Sequence, residues 1–146
     1  MNPQPLVVTP ETYPQPLDVV GEKITVLATG EATRGYEIFL QDGPEGSGPP
    51  PHSHPWDESF VITRGAVAFG LGDEQVTATP GTLVHIPAGT THWFRFGEDG
   101  ATMVSMTSKL GASRLFADLS REIAPDAPDL AKLVGIAARH EVTVTV

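Results

Sequence analysis

The sequence predicts an all-β protein: one antiparallel sandwich or barrel with short helices at its carboxyl end. Three observations support this class. Fifteen glycines and fourteen prolines punctuate the 146 residues, the segments between them are rich in β-branched and aromatic residues, and the pattern becomes helical after Ser108. Turn-forming residues that recur between short apolar segments are typical of antiparallel sheets.

The predicted strands follow one another between residues 20 and 108. Most of them end in turn-forming pairs, namely Asp42-Gly43, Gly72-Asp73, Pro80-Gly81 and Asp99-Gly100. The strand-bearing segments are KITVLATG, YEIFLQD, SFVITRGAVAFGLG, QVTATPGTLVHIP, HWFRFGEDG and ATMVSMTS.

Two helices are predicted after the strands, because apolar residues then recur at helical spacing. The first stripe is Leu115, Phe116, Leu119 and Ile123, and the second is Leu130, Leu133, Val134 and Ala137. We therefore expect an extended, proline-rich arm over residues 1–19, a barrel over 20–108, and a helical segment over 109–146 that packs on the barrel and closes one end.

Composition excludes several classes of function. A net charge of −9 and the absence of cysteine argue against nucleic acid or an anionic membrane as partner, and against thiolate chemistry. The amino terminus lacks the basic and apolar regions of a signal peptide, and no apolar stretch is long enough to span a membrane. The expectation is a cytoplasmic protein whose partner is a small molecule.

The stretch PPPHSHPWDE carries the clearest chemical pattern. His52 and His54 stand two residues apart, so in a strand both imidazoles lie on one face. Glu58 shares its side of the next strand with apolar residues and needs a partner there, since an unpaired buried charge is costly. His92, in PAGTTHWF, is the fourth candidate. Three imidazoles and one carboxylate suit one divalent transition metal: iron, nickel, cobalt, manganese, copper or zinc.

Other polar residues compete with this interpretation. Asp57 is an alternative ligand, although strand alternation directs it away from the face of Glu58. His85 lies outside the pattern and is either a contact of the site or part of an outer surface. His140 ends the second predicted helix, where a cationic side chain suits the carbonyl end, and is expected to be structural.

The metal candidates also resemble the two signature motifs of the cupin superfamily. The first motif has Gly46, His52, His54, Glu58 and Gly65 at the family spacing. The second motif is present as Gly81, Pro87, Gly89 and His92, but Phe96 stands where the family expects asparagine. The resemblance covers roughly residues 20 to 108.

This resemblance implies a jelly-roll barrel with a metal near its mouth, held by His52, His54, Glu58 and His92. The tail is loosely similar to that of small single-domain, quercetin-dioxygenase-like cupins. Phe60, Phe94 and Phe96 share strand faces with the proposed ligands, so they are the predicted walls of a substrate pocket. Phe96 makes that pocket drier than the usual asparagine would.

A site of this kind favours anionic oxygen ligands, and Glu58 is its candidate catalytic general base. The leading hypothesis is a metal-dependent dioxygenase of a small enolisable or phenolic compound. The alternatives are a non-oxidative isomerase, cyclase or lyase, and a module that binds a metal or small molecule without turnover. A homodimer is also expected, because the arm with VVTP is long enough to add a strand to a neighbouring copy.

Overall fold

The structure, a computed structural model, describes residues 4–109 and 111–145 and confirms the all-β class with short carboxyl-terminal helices. Residues 1–3 of the predicted arm, and residues 110 and 146 of the predicted helical segment, lie outside the described residues. A short 3₁₀ helix, Pro10–Thr12, precedes the first strand. The elements that follow are β1 (Leu17–Val19), β2 (Glu22–Ala28), α1 (Gly30–Thr33), β3 (Tyr36–Gly43), β4 (His52–Ser53), β5 (Glu58–Leu71), β6 (Glu74–Ala78), β7 (Leu83–Ile86), β8 (His92–Ser108), α2 (Ala112–Glu122), α3 (Leu130–Arg139) and β9 (Thr143–Val144).

The strands form one curled antiparallel sheet. Its main path runs β1-β2-β3-β8-β4-β9, and β5 pairs with β6, β7 and β8. Strand β8 organises this arrangement, because it pairs with β3, with β4 and along its length with β5. The long β5–β8 pairing therefore joins the two halves of the barrel.

The predicted turn at Asp99-Gly100 is a bend inside β8. Both residues have positive φ, 65° and 78°, and pairing with β5 jumps from Phe96 to Ala101 across them. Gly65 of β5 faces this bend with φ 73°, and a Cβ there would lie 2.3 Å from the carbonyl oxygen of Gly100. Only glycine fits such a close approach, which explains this glycine of the first sequence motif.

The interior contains two hydrophobic clusters. The first, which we call the aromatic core, lies between β5, β6, β7 and β8. It consists of Phe60, Ile62, Val67, Phe69, Ala78, Val84, Ile86, Phe94, Phe96, Ala101 and Met103. The second, the helix-covered core, joins the first strands to the carboxyl-terminal helices. It consists of Val19, Ile24, Phe39, Trp56, Ala112, Leu115, Leu119, Ile123, Leu133, Ile136, Ala137 and Val142.

The two helices bury most of their predicted stripes against the barrel. Leu115 and Leu119 of α2 are buried, as are Leu133 and Ala137 of α3. Leu130 is 52% exposed, because it lies at the first turn of α3, and Ile136 takes part in the buried stripe in its place. The helices thus close one end of the barrel.

A buried carboxylate fixes the start of α2 to β3. Glu37 is 1% exposed and accepts hydrogen bonds from the amide of Gly30 at 2.9 Å, the amide of Ser113 at 2.9 Å and the hydroxyl of Ser113 at 2.7 Å. Three donors satisfy a charge that burial alone would penalise. Glu37 therefore holds the helical segment over the barrel mouth.

Two short strands fall outside the sequence prediction. Strand β1 lies in the segment predicted as an arm, and β9 follows the helices and pairs with β4 next to His52. Leu6 and Val7 of the arm are 56% and 83% exposed, and the homodimer stays a prediction. Across the described residues, every helix is too short or too polar to cross a membrane.

Candidate metal centre

Three histidines meet at the end of the barrel that the helices cover. His52 of β4 pairs in register with His92 of β8, and His54 follows one residue after β4. One nitrogen from each ring lies within 4.8 Å of the other two. The ring centroids of His52 and His92 are 4.2 Å apart, and those of His54 and His92 are 4.9 Å apart.

The loop before β4 is fixed against β8, which positions His52. The amide of Gly46 donates to the carbonyl of Phe96 at 2.8 Å, and Arg95 Nη1 donates to the carbonyl of Pro49 at 2.6 Å. Gly48 has φ 143°, and a Cβ there would lie 2.0 Å from the carbonyl oxygen of Phe94. A glycine and a rigid proline segment thus bring the chain close enough for both strands to present histidines to one point.

A backbone carbonyl sets the tautomer of each ring. The Nδ1 atoms of His52, His54 and His92 lie 2.9 Å, 2.9 Å and 2.8 Å from the carbonyl oxygens of Pro50, Trp56 and Thr90 respectively. A neutral ring that donates from Nδ1 carries its lone pair on Nε2. Such carbonyl contacts are the usual way in which metal-ligating histidines are oriented.

Glu58 completes the cluster from the first position of β5. Its Oε1 lies 3.3 Å from Nε2 of His54 and 3.4 Å from Nε2 of His92, and the side chain is 9% exposed. With neutral rings in the tautomer described above, a carboxylate oxygen would face two lone pairs at these distances. Doubly protonated rings or a shared cation would relieve that repulsion, and buried charges in proteins are commonly balanced by metals.

The local electrostatics favour the forms that bind metals. Burial, helped by the neighbouring His92, lowers the pKa of His52 from 6.5 to about 4, so this ring is neutral at pH 7. Burial by itself raises the pKa of Glu58, but the contacts with His54 and His92 outweigh it and hold this pKa well below its usual value. Neutral imidazole and ionised carboxylate are the protonation states that divalent metals require.

The donor set fits a divalent transition ion. Three imidazole nitrogens and one carboxylate oxygen suit zinc, iron, nickel, cobalt, copper or manganese, and four protein ligands leave coordination positions for a further ligand. Trp56 stacks on His54 with ring centroids 4.5 Å apart and planes inclined by 10°, which further restricts that ring. The histidine cluster could therefore hold a metal ion, and the four-residue ligand set stays a prediction.

An apolar cavity of about 90 Å³ adjoins the cluster. It has room for roughly half a dozen water-sized groups, that is, for a small organic molecule. Barrel, loop and helices all contribute to its walls: Val19, Val20, Glu22, Ile24, Gln41, Gly48, Pro49, Pro50, His52, His54, Trp56, Glu58, Phe94, Ala112, Leu115, Phe116, Leu119, Leu133, Ala137, Val142 and Val144.

The structure separates the three predicted pocket residues. Phe94 lines the cavity, whereas Phe60 and Phe96 do not and are fully buried in the aromatic core. The rings of Phe60 and Phe94 are 5.6 Å apart, and so are those of Phe94 and Phe96. All three point inward, but Phe60 and Phe96 lie deeper in the barrel and support Phe94 from behind.

Two polar residues of this cavity were missed by the sequence analysis. Glu22 of β2 and Gln41 of β3 are 5% and 3% exposed, and Gln41 Nε2 donates to Glu22 Oε1 at 2.9 Å. Strand alternation would have found them, because Glu22 shares a face with Ile24, and Gln41 shares one with Phe39. Both positions are the inward-facing ones of their strands.

The competing polar residues lie elsewhere. Asp57 is exposed and accepts a hydrogen bond from the amide of Ala88 at 2.8 Å. His85 Nδ1 lies 2.8 Å from the hydroxyl of Ser59 on an exposed face, and His140 Nε2 lies 2.6 Å from Asp118 Oδ2 beside the helices. None of the three lines the cavity.

Comparison with known proteins agrees with this fold. The cupin domain family matches residues 39–107. A cupin described as RmlC-like from Shewanella frigidimarina superposes with a TM-score of 0.64 at 14% identity, covering 74% of this chain and 94% of that one. The polyketide cyclase RemF from Streptomyces resistomycificus gives 0.61 at 17% identity, covering 72% and 80%. At such identities these structures show the shared fold alone.

A curated relative is closer in sequence over a shorter stretch. Acireductone dioxygenase 1 from Pectobacterium atrosepticum is 38% identical over 66 residues, which is 42% of this chain and 33% of that protein. The chain thus matches only about a third of the relative's length. The family match identifies residues 39–107 as a cupin domain, and the barrel and the histidine cluster agree with that identification.

Proposed function

We propose that this cupin is a metal-dependent dioxygenase that acts on a small enolisable or phenolic compound. The observation that carries the proposal is the convergence of three imidazoles and the Glu58 carboxylate beside an apolar cavity. A divalent metal bound by His52, His54, Glu58 and His92 would polarise an oxygen of the substrate and make its neighbouring proton more acidic.

Glu58 is the residue that would take this proton. Its Oε1 is directed at His54 and His92, while Oε2 makes no hydrogen bond within the described part of the chain. A carboxylate with one fixed and one free oxygen is placed to accept a proton on the free one. Positioned general bases contribute typically about 10²- to 10⁴-fold to rate.

The cavity walls would protect the resulting anion from water. The lining of the cavity is predominantly aliphatic and aromatic, and helices α2 and α3 cover one side of the cavity. Excluding water strengthens electrostatic interactions in the site and limits the reprotonation of a carbanion. The volume of about 90 Å³ favours a compact substrate, such as a short diketone, over a large one.

The oxidative part of the proposal rests on the acireductone dioxygenase relative, which supports it over one stretch of sequence. A non-oxidative isomerisation, cyclisation or elimination is the second candidate. It is favoured by the presence of two cavity carboxyl groups whose pKa values shift in opposite directions, that of Glu58 downward and that of Glu22 upward. Opposite shifts of this kind are typical of acid–base pairs.

Oxygen consumption distinguishes the two candidates. The protein, stripped and reloaded with iron, nickel, cobalt or manganese, is offered acetylacetone and a flavonol while oxygen uptake and substrate absorbance are followed. We expect stoichiometric loss of oxygen and diketone with at least one metal, and neither loss in His92→Ala treated identically. Equal substrate loss without air would establish the non-oxidative candidate. Binding without loss of substrate or oxygen would leave a binding module.

A further inference from the structure

Glu22 and Gln41 form a polar pair in an otherwise apolar part of the cavity wall. They come from neighbouring strands and are joined by one hydrogen bond of 2.9 Å. Their neighbours among the lining residues include Val19, Val20 and Ile24, and the lining contains no lysine or arginine. Among the described residues, the pair therefore has no lysine or arginine as a partner in the cavity.

Each residue keeps an unused hydrogen-bonding atom. Gln41 Oε1 is buried without a partner, and Glu22 Oε2 has none among the residues that the structure describes. A buried polar group without a partner typically destabilises a fold by about 1–3 kcal/mol, so such groups are rare unless something else satisfies them. The hydrogen bond between Glu22 and Gln41 thus does not by itself explain why both polar side chains are buried here.

The environment favours the neutral form of Glu22. Burial, opposed by the hydrogen bond from Gln41 and assisted by the charge of Glu58, raises the pKa of Glu22 from 4.5 to about 8. A protonated carboxyl donates through its hydroxyl, while Gln41 Oε1 can only accept. The pair offers one donor and one acceptor to a neutral group.

We propose that Glu22 and Gln41 form a second polar subsite of the substrate pocket, which binds a neutral hydroxyl or carbonyl oxygen of the substrate away from its metal-binding end. This proposal rests on the proposed function, since the metal centre is what would hold the other end. The substrate class is then a compact molecule with an acidic, chelating pair of oxygens and one further neutral oxygen. A carboxylate in that position is disfavoured, because the cavity lining contains no lysine or arginine to balance its charge.

Kojic acid and allomaltol test this subsite. Both chelate metals through the same pair of oxygens, and they differ only in a hydroxymethyl or a methyl group on the far side of the ring. Binding to the zinc-loaded protein is measured by calorimetry. Wild type is expected to prefer kojic acid by about three- to tenfold, the effect of one added hydrogen bond.

Three variants assign the preference to the pair. Glu22→Leu and Gln41→Leu are each expected to lower the preference for kojic acid to less than twofold, chiefly through a loss of affinity for kojic acid. Glu22→Gln, which still donates, is expected to keep most of it. Asp42→Leu is the control, because Asp42 lies next to Gln41 on β3 but its side chain is 57% exposed and pairs with Arg64. It should behave as wild type.

A second readout does not depend on ligand. Replacing a partly unsatisfied buried carboxyl with leucine is expected to leave the melting temperature equal or higher, as is common when a functional polar group is removed.

Equal affinities of wild type for the two compounds, or a preference retained in Glu22→Leu and Gln41→Leu, would overturn the subsite. Zinc-independent binding of allomaltol, or no binding of it, would instead overturn the metal centre on which the subsite depends.

Discussion

The two ends of the barrel interior are built largely from different elements and differ in how well their polar groups are satisfied. The aromatic core is uniformly apolar, and its Phe60, Phe69, Phe94 and Phe96 rings pack at centroid distances between 5.2 Å and 5.9 Å. The helix-covered end contains buried histidines, carboxyls and an amide. Among the described residues, burial without partners occurs at Gln41 Oε1, Trp56 Nε1 and His92 Nε2 at that end, and also at Ser105 Oγ and Thr107 Oγ1 of β8.

This contrast distinguishes the aromatic core, which stabilises the barrel, from the helix-covered end, which we propose binds a metal and a small molecule. Close-packed aromatic rings contribute to stability and need no further partner. Buried polar atoms without partners destabilise a fold and are retained where a ligand or metal completes them. Substitutions in the aromatic core should therefore lower the free energy of unfolding, whereas substitutions at the helix-covered end should change turnover and metal content.

The largest expected effect is that of Glu58→Gln on turnover. The amide keeps the size of the side chain and one oxygen but is not basic, so the catalysed rate should fall about 10²- to 10⁴-fold. Metal content should fall only partly, because three imidazoles remain. Oxygen uptake and metal analysis on the same sample check this, and a variant with full metal and full rate would contradict the role of Glu58.

Phe60→Ala tests the contribution of the aromatic core to stability. Truncating a fully buried phenylalanine should lower the free energy of unfolding by about 3–5 kcal/mol, whereas metal bound per folded chain should stay the same. Val61→Ala is the matched control: Val61 is the next residue, is 41% exposed and should change stability little. Denaturant titration measures both. Loss of metal in folded Phe60→Ala would show that the two ends are not independent.

The residues predicted as ligands lie together in the structure, whereas those predicted for the pocket do so only in part, and there is a physical reason for the difference. His52, His54 and Glu58 lie within seven residues, and alternation along a strand determines which face each side chain occupies. Alternation does not determine depth along the barrel axis. Phe60 and Phe96 were therefore assigned to the pocket with Phe94, although they lie behind it in the aromatic core.

Strand alternation identifies Glu22 and Gln41 as inward-facing residues, but only long-range pairing determines that they meet and that β9 forms. Glu22 and Gln41 are nineteen residues apart and become partners only when β2 and β3 pair. Strand β9 has two residues, too few for any periodic pattern, and it is defined by its contact with β4. Such features depend on which strands become neighbours, and the order along the chain does not contain that information.

Glu37→Gln should lower stability less than Phe60→Ala does, and the loss should be confined to the covering helices. The amide places a donor where the carboxylate accepts from Gly30 and Ser113, which should cost about 1–3 kcal/mol. Amide hydrogen exchange in α2 should accelerate more than exchange in β5 and β8. Glu31→Gln is the control, since Glu31 is exposed and pairs only loosely with Arg114 at 3.7 Å. Equal acceleration of exchange in α2, β5 and β8 would contradict a role of Glu37 that is limited to the covering helices.

The smallest expected effect is the pH dependence contributed by Glu22. Its pKa is about 8 in the folded protein against an ordinary 4.5, so between these values the folded state binds a proton that the unfolded chain releases. The contribution to stability is complete below pH 4.5 and is lost as pH rises towards 8. Relative to Glu22→Gln, wild type should lose about 1 kcal/mol between pH 6 and pH 7. Parallel stability curves for the two proteins would contradict a protonated Glu22.

The central claim is that the histidines form a metal centre, and elemental analysis of protein purified without added metal or chelator tests it most directly. Wild type and His85→Ala, which alters an exposed histidine outside the cavity, should carry a divalent transition metal. His52→Ala and His92→Ala should carry almost none while circular dichroism shows a folded barrel, because the aromatic core does not depend on the site. Wild-type metal content in both His52→Ala and His92→Ala, or a wild type that binds no metal under any loading, would contradict the account.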